Sequence, residues 1–261
     1  HHGRMSVLVS FHAHPDDEVF TTGGVIRRAA DEGHRVVLVT ATDGAQGAYP
    51  DGILQDGETL AERRRRELEE AAETLGVHRL VLLGYPDSGM VGSPSTQDPA
   101  AFCNVDVDEA AGKLADILRE ESADVLTIYD PHGGYGHPDH IQVHHVGKRA
   151  AELAGLDAVY EAAVNRDHVL RQLEARQADI PDMALPDLST LGLPESELTT
   201  AVDVRATLKA KRAAMTAHHT QIGNFGMFLA LSDDDFAEAF SHEWFRRLGA
   251  PEGLRETQLP L

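Results

Sequence analysis

The 261-residue chain contains a single cysteine, Cys103. An intrachain disulfide is therefore excluded, and so is a cysteine-rich metal site. Any metal has to be held by histidine and carboxylate. Cationic residues are also scarce: 23 Lys and Arg stand against 43 Asp and Glu, a formal net charge of −20. A surface this acidic repels phosphate backbones and anionic lipid, which argues against nucleic acid and membranes as partners. No apolar run approaches the roughly 20 residues that a membrane-spanning helix needs. After Met5 no basic segment leads into an apolar signal stretch, so the chain reads as cytoplasmic. His1-His2-Gly3-Arg4 read as the remnant of a tag. Two motifs are missing as well. No Gly-x-Gly-x-x-Gly follows the first apolar run, so Gly23-Gly24 is not a dinucleotide fingerprint. No Gly-x-Ser-x-Gly nucleophile elbow is present either. There is no internal repeat and no low-complexity tract.

What is present is an ordinary globular composition, 42% hydrophobic and 25% charged, arranged in alternating apolar runs and helical periods. Val7–Phe11, Arg35–Thr40, Leu80–Leu83, Val125–Tyr129 and Ala158–Val164 read as buried strands. Between them, Glu18–Glu32, Glu58–Leu75, Asp108–Glu121 and Pro138–Leu153 have helical spacing, the first two stopping at Gly33 and Gly76. Thr42–Gly57 and Asp87–Asn104 are long loops, and His132–Gly136 is a glycine-rich turn. Strand-helix alternation of this kind predicts an α/β, Rossmann-like fold: a mostly parallel sheet with helices on both faces, formed as one domain over residues 5–261. Beyond Arg166 the periodicity fades. Ala178–Thr200 reads as irregular, and Val204–Gln221 and Asp233–Arg247 as the last helices.

In open α/β sheets ligands bind outside the carboxyl ends of the strands. The first strand runs into His12-Ala13-His14-Pro15-Asp16-Asp17-Glu18. The fourth runs into Asp130-Pro131-His132-Gly133-Gly134-Tyr135-Gly136-His137-Pro138-Asp139-His140. Either cluster alone could be helix-capping chemistry, since Asp is a good N-cap. Both at corresponding strand ends point instead to one site. A three-ligand zinc site with an open position could take His14, Asp17 and one histidine of the second cluster. Asp16 is then free to take a proton from a water activated by the metal. His/carboxylate ligation also suits Fe2+ or another divalent ion.

Ala-His-Pro-Asp-Asp-Glu at 13–18 together with Gly-His-Pro-Asp-His at 136–140 resembles the LmbE/PIG-L family of zinc-dependent N-deacetylases. The longer run at 130–140 is similar to the actinobacterial mycothiol branch of that family. The likeness covers residues 7–145 and returns at Lys211, Ala214, His218, Thr220 and Gln221. It implies a zinc ion on His14, Asp17 and His140, with Asp16 as base. It implies that His137 steadies the oxyanion or protonates the leaving amine, that Asp139 orients His137, and that Tyr135 approaches the carbonyl from a mobile loop. Sugar contacts carry over to Thr21, Arg64 and Asp87. The substrate it implies is a small N-acylated amino sugar or glycoside. Ala45–Gly57 and Val91–Asn104 depart from the mycothiol enzymes, and such loops select substrate.

Several residues have plainer readings. His144, one turn beyond His140, is an alternative ligand or a polar neighbour. His145 follows it with no assigned role. The run Arg63–Arg66 is a solvated helix face from which only Arg64 need enter the cleft, and Cys103 is an inert loop residue. His218 is either a supporting group or a satisfied core histidine. Two other functions compete with deacetylation. One is an amidase acting on a larger acyl group or a thiol conjugate. The other is a metal-dependent sugar-binding module without catalysis, against which the intact Asp16 argues. The sequence leaves a homo-oligomer open.

Overall fold

A computed structural model describes residues 4–179 and 187–261. Among the described residues, seven strands form one sheet: β1 (Val7–His12), β2 (Arg35–Thr42), β3 (Arg79–Tyr85), β4 (Val125–Tyr129), β5 (Val159–Ala163), β6 (Thr200–Asp203) and β7 (His242–Arg247). The order across the sheet is β3-β2-β1-β4-β5-β7-β6. The first five strands run parallel, while β7 pairs antiparallel with both β5 and β6. The expected α/β, mostly parallel architecture is therefore the one observed.

β1, β2 and β4 are buried on both faces, which is why their sequences are continuous apolar runs. Alternate residues feed two cores. Val7, Val9 and Phe11 of β1 pack with α4 (Val107–Glu120) and α6 (Pro138–Ala154). Leu8 faces the other way, among residues of α2 (Gly23–Asp31), α3 (Leu60–Leu75), α8 (Leu208–Ala217), α9 (Ile222–Leu229) and α10 (Asp233–Phe240). α6 lies so close to β4 that a Cβ on Gly147 would collide with Ile128.

The chain leaves β1 toward β2 and β3 on one side and toward β4 and β5 on the other. The sheet thus reverses its winding between β1 and β4, whose carboxyl ends lie side by side. This reversal is where open α/β sheets leave a crevice for ligand.

The helix expected over Glu18–Glu32 is two helices, α1 (Asp17–Thr21) and α2, broken at Thr22. The Thr22 hydroxyl donates to the Glu18 carbonyl, and the Glu243 carboxylate accepts from the Gly24 and Val25 amides, so α2 starts afresh with its own cap. The helix expected over Val204–Gln221 is shorter: α8 is flanked by 3₁₀ turns at Arg205–Thr207 and His219–Gln221. The helix expected over Asp233–Arg247 ends at Phe240, and His242–Arg247 is β7. There Glu243 and Phe245 point inward while their neighbours are half-buried, the period of a strand rather than a helix. Two helices were not foreseen: α7 (Arg166–Asp179), whose surface is polar, and α9. The stretch expected to be irregular over Ala178–Thr200 lies partly outside the described residues. Its described remainder holds a 3₁₀ turn at Glu195–Glu197 and opens into β6.

Candidate active site

β1 delivers His12 and then turns sharply through Ala13–Asp16 into α1. The peptide chain can make that turn because Asp16 adopts φ 110°, ψ −23°. A non-glycine residue there costs on the order of 1–3 kcal/mol and persists only where its surroundings enforce it. Three contacts do so. The Asp16 amide donates to Glu18 Oε2 at 2.9 Å, Arg64 Nη2 donates to Asp16 Oδ1 at 3.1 Å, and the same guanidinium holds the Pro15 carbonyl.

β4 ends at Tyr129, and the chain passes through a single kinked turn, α5 (Gly133–Gly136), into α6. Gly133 has φ 62°, and a Cβ there would stand 2.6 Å from His140 Cβ, so this position needs glycine. His137 caps α6, its Nδ1 accepting from the Asp139 amide at 3.1 Å, and Pro138 fills the first helical position.

These two turns bring the sequence clusters together. His14 Nδ1 lies 3.2 Å from Asp17 Oδ2 and 3.3 Å from His140 Nε2, and His140 Nε2 lies 3.2 Å from Asp17 Oδ2. Three donors on a tetrahedral ion, each ~2.05 Å from it, stand about 3.3 Å apart. The free lone pairs point the right way. His140 Nδ1 faces the Gly133 carbonyl at 3.2 Å, which leaves Nε2 open. His14 Nε2 faces Asp139 Oδ2 at 3.1 Å and Asp87 Oδ1 at 3.4 Å, which leaves Nδ1 open. Such carboxylate–imidazole contacts fix the tautomer of a metal-binding histidine. Two further groupings of donors share His14: one with His137 and His140, the other with Asp87, His137 and Asp139. In the four-donor grouping the carboxylates accept the Ser88, Gly89 and Gln46 amides, and Asp17 Oδ2 accepts the His14 amide at 2.7 Å.

The electrostatics fit a cation. Asp16, Asp17 and Asp87 converge on a pocket that Arg64 also lines, and Asp139 is buried behind His14. Burial opposes the charge on His14, but Asp139, Asp17 and Asp87 raise its pKa well above the usual imidazole range. Burial likewise opposes ionisation of Asp17, yet His140 and His14 hold its carboxyl well below the usual range. Asp87 is also held low, against burial, by His14 and by backbone amides. Asp16 goes the other way: burial pushes it up to about 6, with Arg64 pulling against the shift and Asp17 adding to it. Burial and the neighbouring His14 and His140 bring His137 down to about 4. The His137 ring is thus neutral, and with Nδ1 accepting, its proton sits on Nε2.

Tyr135 is 53% exposed, with its ring 5.0 Å from that of His140. Thr21, Asp87 and Arg64 line the same cavity of about 690 Å³. Arg64 is less free than the sequence suggested: besides Asp16 and Pro15 it holds the Gly44 carbonyl at 2.7 Å. The Asp139 carboxylate reaches His14 rather than His137, which it meets only through its backbone amide. His144 faces away from the trio, toward the Tyr129 carbonyl and the buried Glu161. Loop residues Gln46, Ala48 and Met90 border the opening, while Phe20, Phe225 and Phe228 form an apolar wall.

Sequence reasoning gave no role to Glu18 or to the His12–Tyr129 pair, and left His218 as either a supporting group or a core histidine. His218 Nε2 meets Glu18 Oε1 at 2.5 Å with both side chains fully buried. Tyr129 reaches His12 Nδ1 at 2.7 Å behind the site. Glu18 stands in the first motif, so its signal was proximity. His218, two hundred residues away, was marked by the returning family likeness, which did not name its partner.

The family model for PIG-L, described as GlcNAc-PI de-N-acetylase, matches residues 9–151. The chain is 41% identical to a 1D-myo-inositol 2-acetamido-2-deoxy-alpha-D-glucopyranoside deacetylase of Thermomonospora curvata, covering 94% of this chain and 91% of that one. It is 42% identical to the protein of the same description from Nocardiopsis dassonvillei, covering 92% and 93%. Among solved structures it is similar to N,N'-diacetylchitobiose deacetylase from Pyrococcus horikoshii, with TM-score 0.60, 25% identity, and coverage of 93% and 84%.

Proposed function

The chain belongs to the PIG-L family, and on that premise we propose that it is a metal-dependent N-deacetylase. It removes the acetyl group from the amide nitrogen of an N-acetylated amino sugar or its glycoside. The observation that carries this reading is the triangle of His14 Nδ1, Asp17 Oδ2 and His140 Nε2 with the Asp16 carboxylate beside it. Those three residues would hold a divalent cation. Zinc suits two nitrogens and one oxygen, and Fe2+ is an alternative. When bound, the cation polarises a carbonyl oxygen and makes water more acidic.

The remaining chemistry belongs to the chain. Asp16, ionised at neutral pH yet more basic than an exposed carboxylate, accepts a proton as water attacks the amide carbonyl. The Nε2 proton of neutral His137 is offered to the oxyanion that forms. When the carbon–nitrogen bond breaks, Asp16 returns its proton to the departing nitrogen, giving acetate and a free amine. His137, held neutral, is the poorer acid for that last step. Thr21 and Asp87 are placed to contact sugar hydroxyls, Tyr135 stands at the open side, and Asp139 orients His14. Arg64 holds Asp16. The small N-acylated sugar is the partner this site supports. Among the described residues no helix is long and apolar enough to cross a membrane.

The apolar wall of Phe20, Phe225 and Phe228 favours one second reading, an amidase with room for a larger acyl group or an apolar conjugate. A series of N-acyl chain lengths on one glucosaminide separates the two.

The paired test compares Asp16→Asn with His14→Ala for metal content and rate of amine release. Asp16→Asn keeps the ligands, so its metal content should match the parent while turnover falls by about 10²–10⁴, the usual worth of a positioned base. His14→Ala should lose both. Near-normal turnover in Asp16→Asn with metal bound would place the base elsewhere.

A further inference from the structure

We propose that His218, through Glu18, is a positioning residue for Asp16. The inference rests on the reading of Asp16 as base and names what holds that base in its reactive backbone geometry.

The argument begins with the Asp16 backbone. Its φ of 110° lies where side-chain-bearing residues rarely settle, so something must hold it. Its amide donates to Glu18 Oε2 at 2.9 Å. A carboxylate used this way is two residues on in sequence and free to rotate unless its other oxygen is fixed. Glu18 Oε1 is fixed by His218 Nε2 at 2.5 Å, and both side chains have 0% exposure. Buried carboxylates need a partner, and among the described contacts His218 is the side chain that supplies one.

His218 is itself well placed to be rigid. It stands at the end of α8, where the Gln221 amide donates to its carbonyl. Next to it, Thr220 is held by Glu67 through both its amide, at 3.0 Å, and its hydroxyl, at 2.6 Å. Glu67 lies on α3 one turn from Arg64, the residue that grips the side chain of Asp16. The Asp16 turn is therefore clamped from two directions. α3 holds the carboxylate through Arg64, and α8 holds the amide through His218 and Glu18. The two arms are joined by Glu67 and Thr220. The His218 side chain is neither one of the metal trio nor one of those lining the cavity, so it acts through another residue.

This clamp makes a prediction that ordinary core packing does not. Losing His218 should let Glu18 swing and the Asp16 turn relax. The carboxylate then shifts relative to the trio without removing any ligand. A displacement on the order of 1 Å at a reacting group can cost about 10²-fold in rate. The effect should appear in kcat and pass entirely through Asp16.

The test is a double-variant cycle on the full-length, zinc-loaded protein, with an N-acetylglucosamine glycoside as substrate. His218→Ala should lower kcat by about 10–100-fold, with KM within about threefold of the parent and zinc stoichiometry unchanged. His218→Gln, which can still donate to Glu18, should recover most of the loss. In the Asp16→Asn background, His218→Ala should cost less than about threefold, because the base it positions is already gone. If His218→Ala leaves kcat within twofold, or costs the same factor with and without Asp16, His218 is a core histidine and the inference fails. Should His218→Ala not fold, Glu18→Gln combined with Asp16→Asn gives the cycle with the buried volume kept, and additivity there overturns the proposal equally. If Asp16→Asn alone leaves activity intact, the assignment of the base fails instead, which the cycle reports separately.

Discussion

His137 shows how a single side chain can be set for one task. Its Nδ1 is occupied by the Asp139 amide, and burial with the nearby His14 and His140 keeps the ring neutral down to about pH 4. What remains is one N–H donor over the whole physiological range. Replacing it with Ala should lower kcat by about 10²–10³, the worth of one oxyanion donor. His137→Gln, which keeps an amide N–H, should recover part of that loss. Equal loss in both, measured as kcat at saturating substrate, would mean that His137 does something other than donate a hydrogen bond. At this scale the sequence was informative wherever a residue lay in one of the two motifs. His14, Asp16, Asp17, His137 and His140 meet at one place because two strand ends are adjacent. It was uninformative about which oxygen or nitrogen each group uses. Asp139 shows the gap: its position in the motif suggested a partner in His137, yet its carboxylate turns to His14. Arg64 was located in the cleft but not seen to be spent on Asp16, Pro15 and Gly44, since the partners are a carboxylate and two backbone carbonyls.

The first half of the chain was legible element by element because each parallel strand is an apolar run and each crossover helix has its own stop signal. Thr59 and Glu62 cap α3 reciprocally, and Gly76 ends it in the left-handed region. The second half was harder for a physical reason. β7 lies next to β6 near the sheet edge and is half-buried, so its six residues mix Arg, Glu and Trp and continue the apparent helical period of α10. The break between α1 and α2 was invisible because its cause, Glu243, comes from β7. The elements are also tied at the edge opposite the site. Arg35 at the start of β2 and Arg79 at the start of β3 both grip Glu121 at the end of α4. Those two guanidiniums pull the Glu121 carboxyl down to about 2. A carboxyl lowered in the folded state stabilises it fully above its ordinary value near 4.5, and that contribution is lost as pH falls toward 2. Glu121→Gln should therefore lower Tm at neutral pH and flatten its fall between about pH 5 and pH 2. A Tm-against-pH curve parallel to the parent's would show that the tie adds no acid-sensitive stability.

Across the whole molecule, the sheet decides where chemistry happens. The winding reverses between β1 and β4, and the two strands that flank the reversal carry the two His/Asp motifs at their carboxyl ends. The net charge of −20 is spread over the chain, but in the crevice it becomes specific: the Asp17 carboxylate faces His14 Nδ1 and His140 Nε2, and Asp87 and Asp139 face His14 Nε2. That arrangement is costly unless a cation completes it. Of the loops the sequence marked as divergent, Ala45–Gly57 borders the opening through Gln46, Gly47 and Ala48, while Val91–Asn104 contributes no residue to the cavity lining. The most direct measurement is an anomalous difference map from crystals soaked in zinc, collected on both sides of the zinc absorption edge. One peak should appear among His14 Nδ1, Asp17 Oδ2 and His140 Nε2, with Asp16 not ligating. A peak on the other side of the His14 ring, among Asp87, Asp139 and His137, or no peak in a protein that still releases amine, would contradict the account.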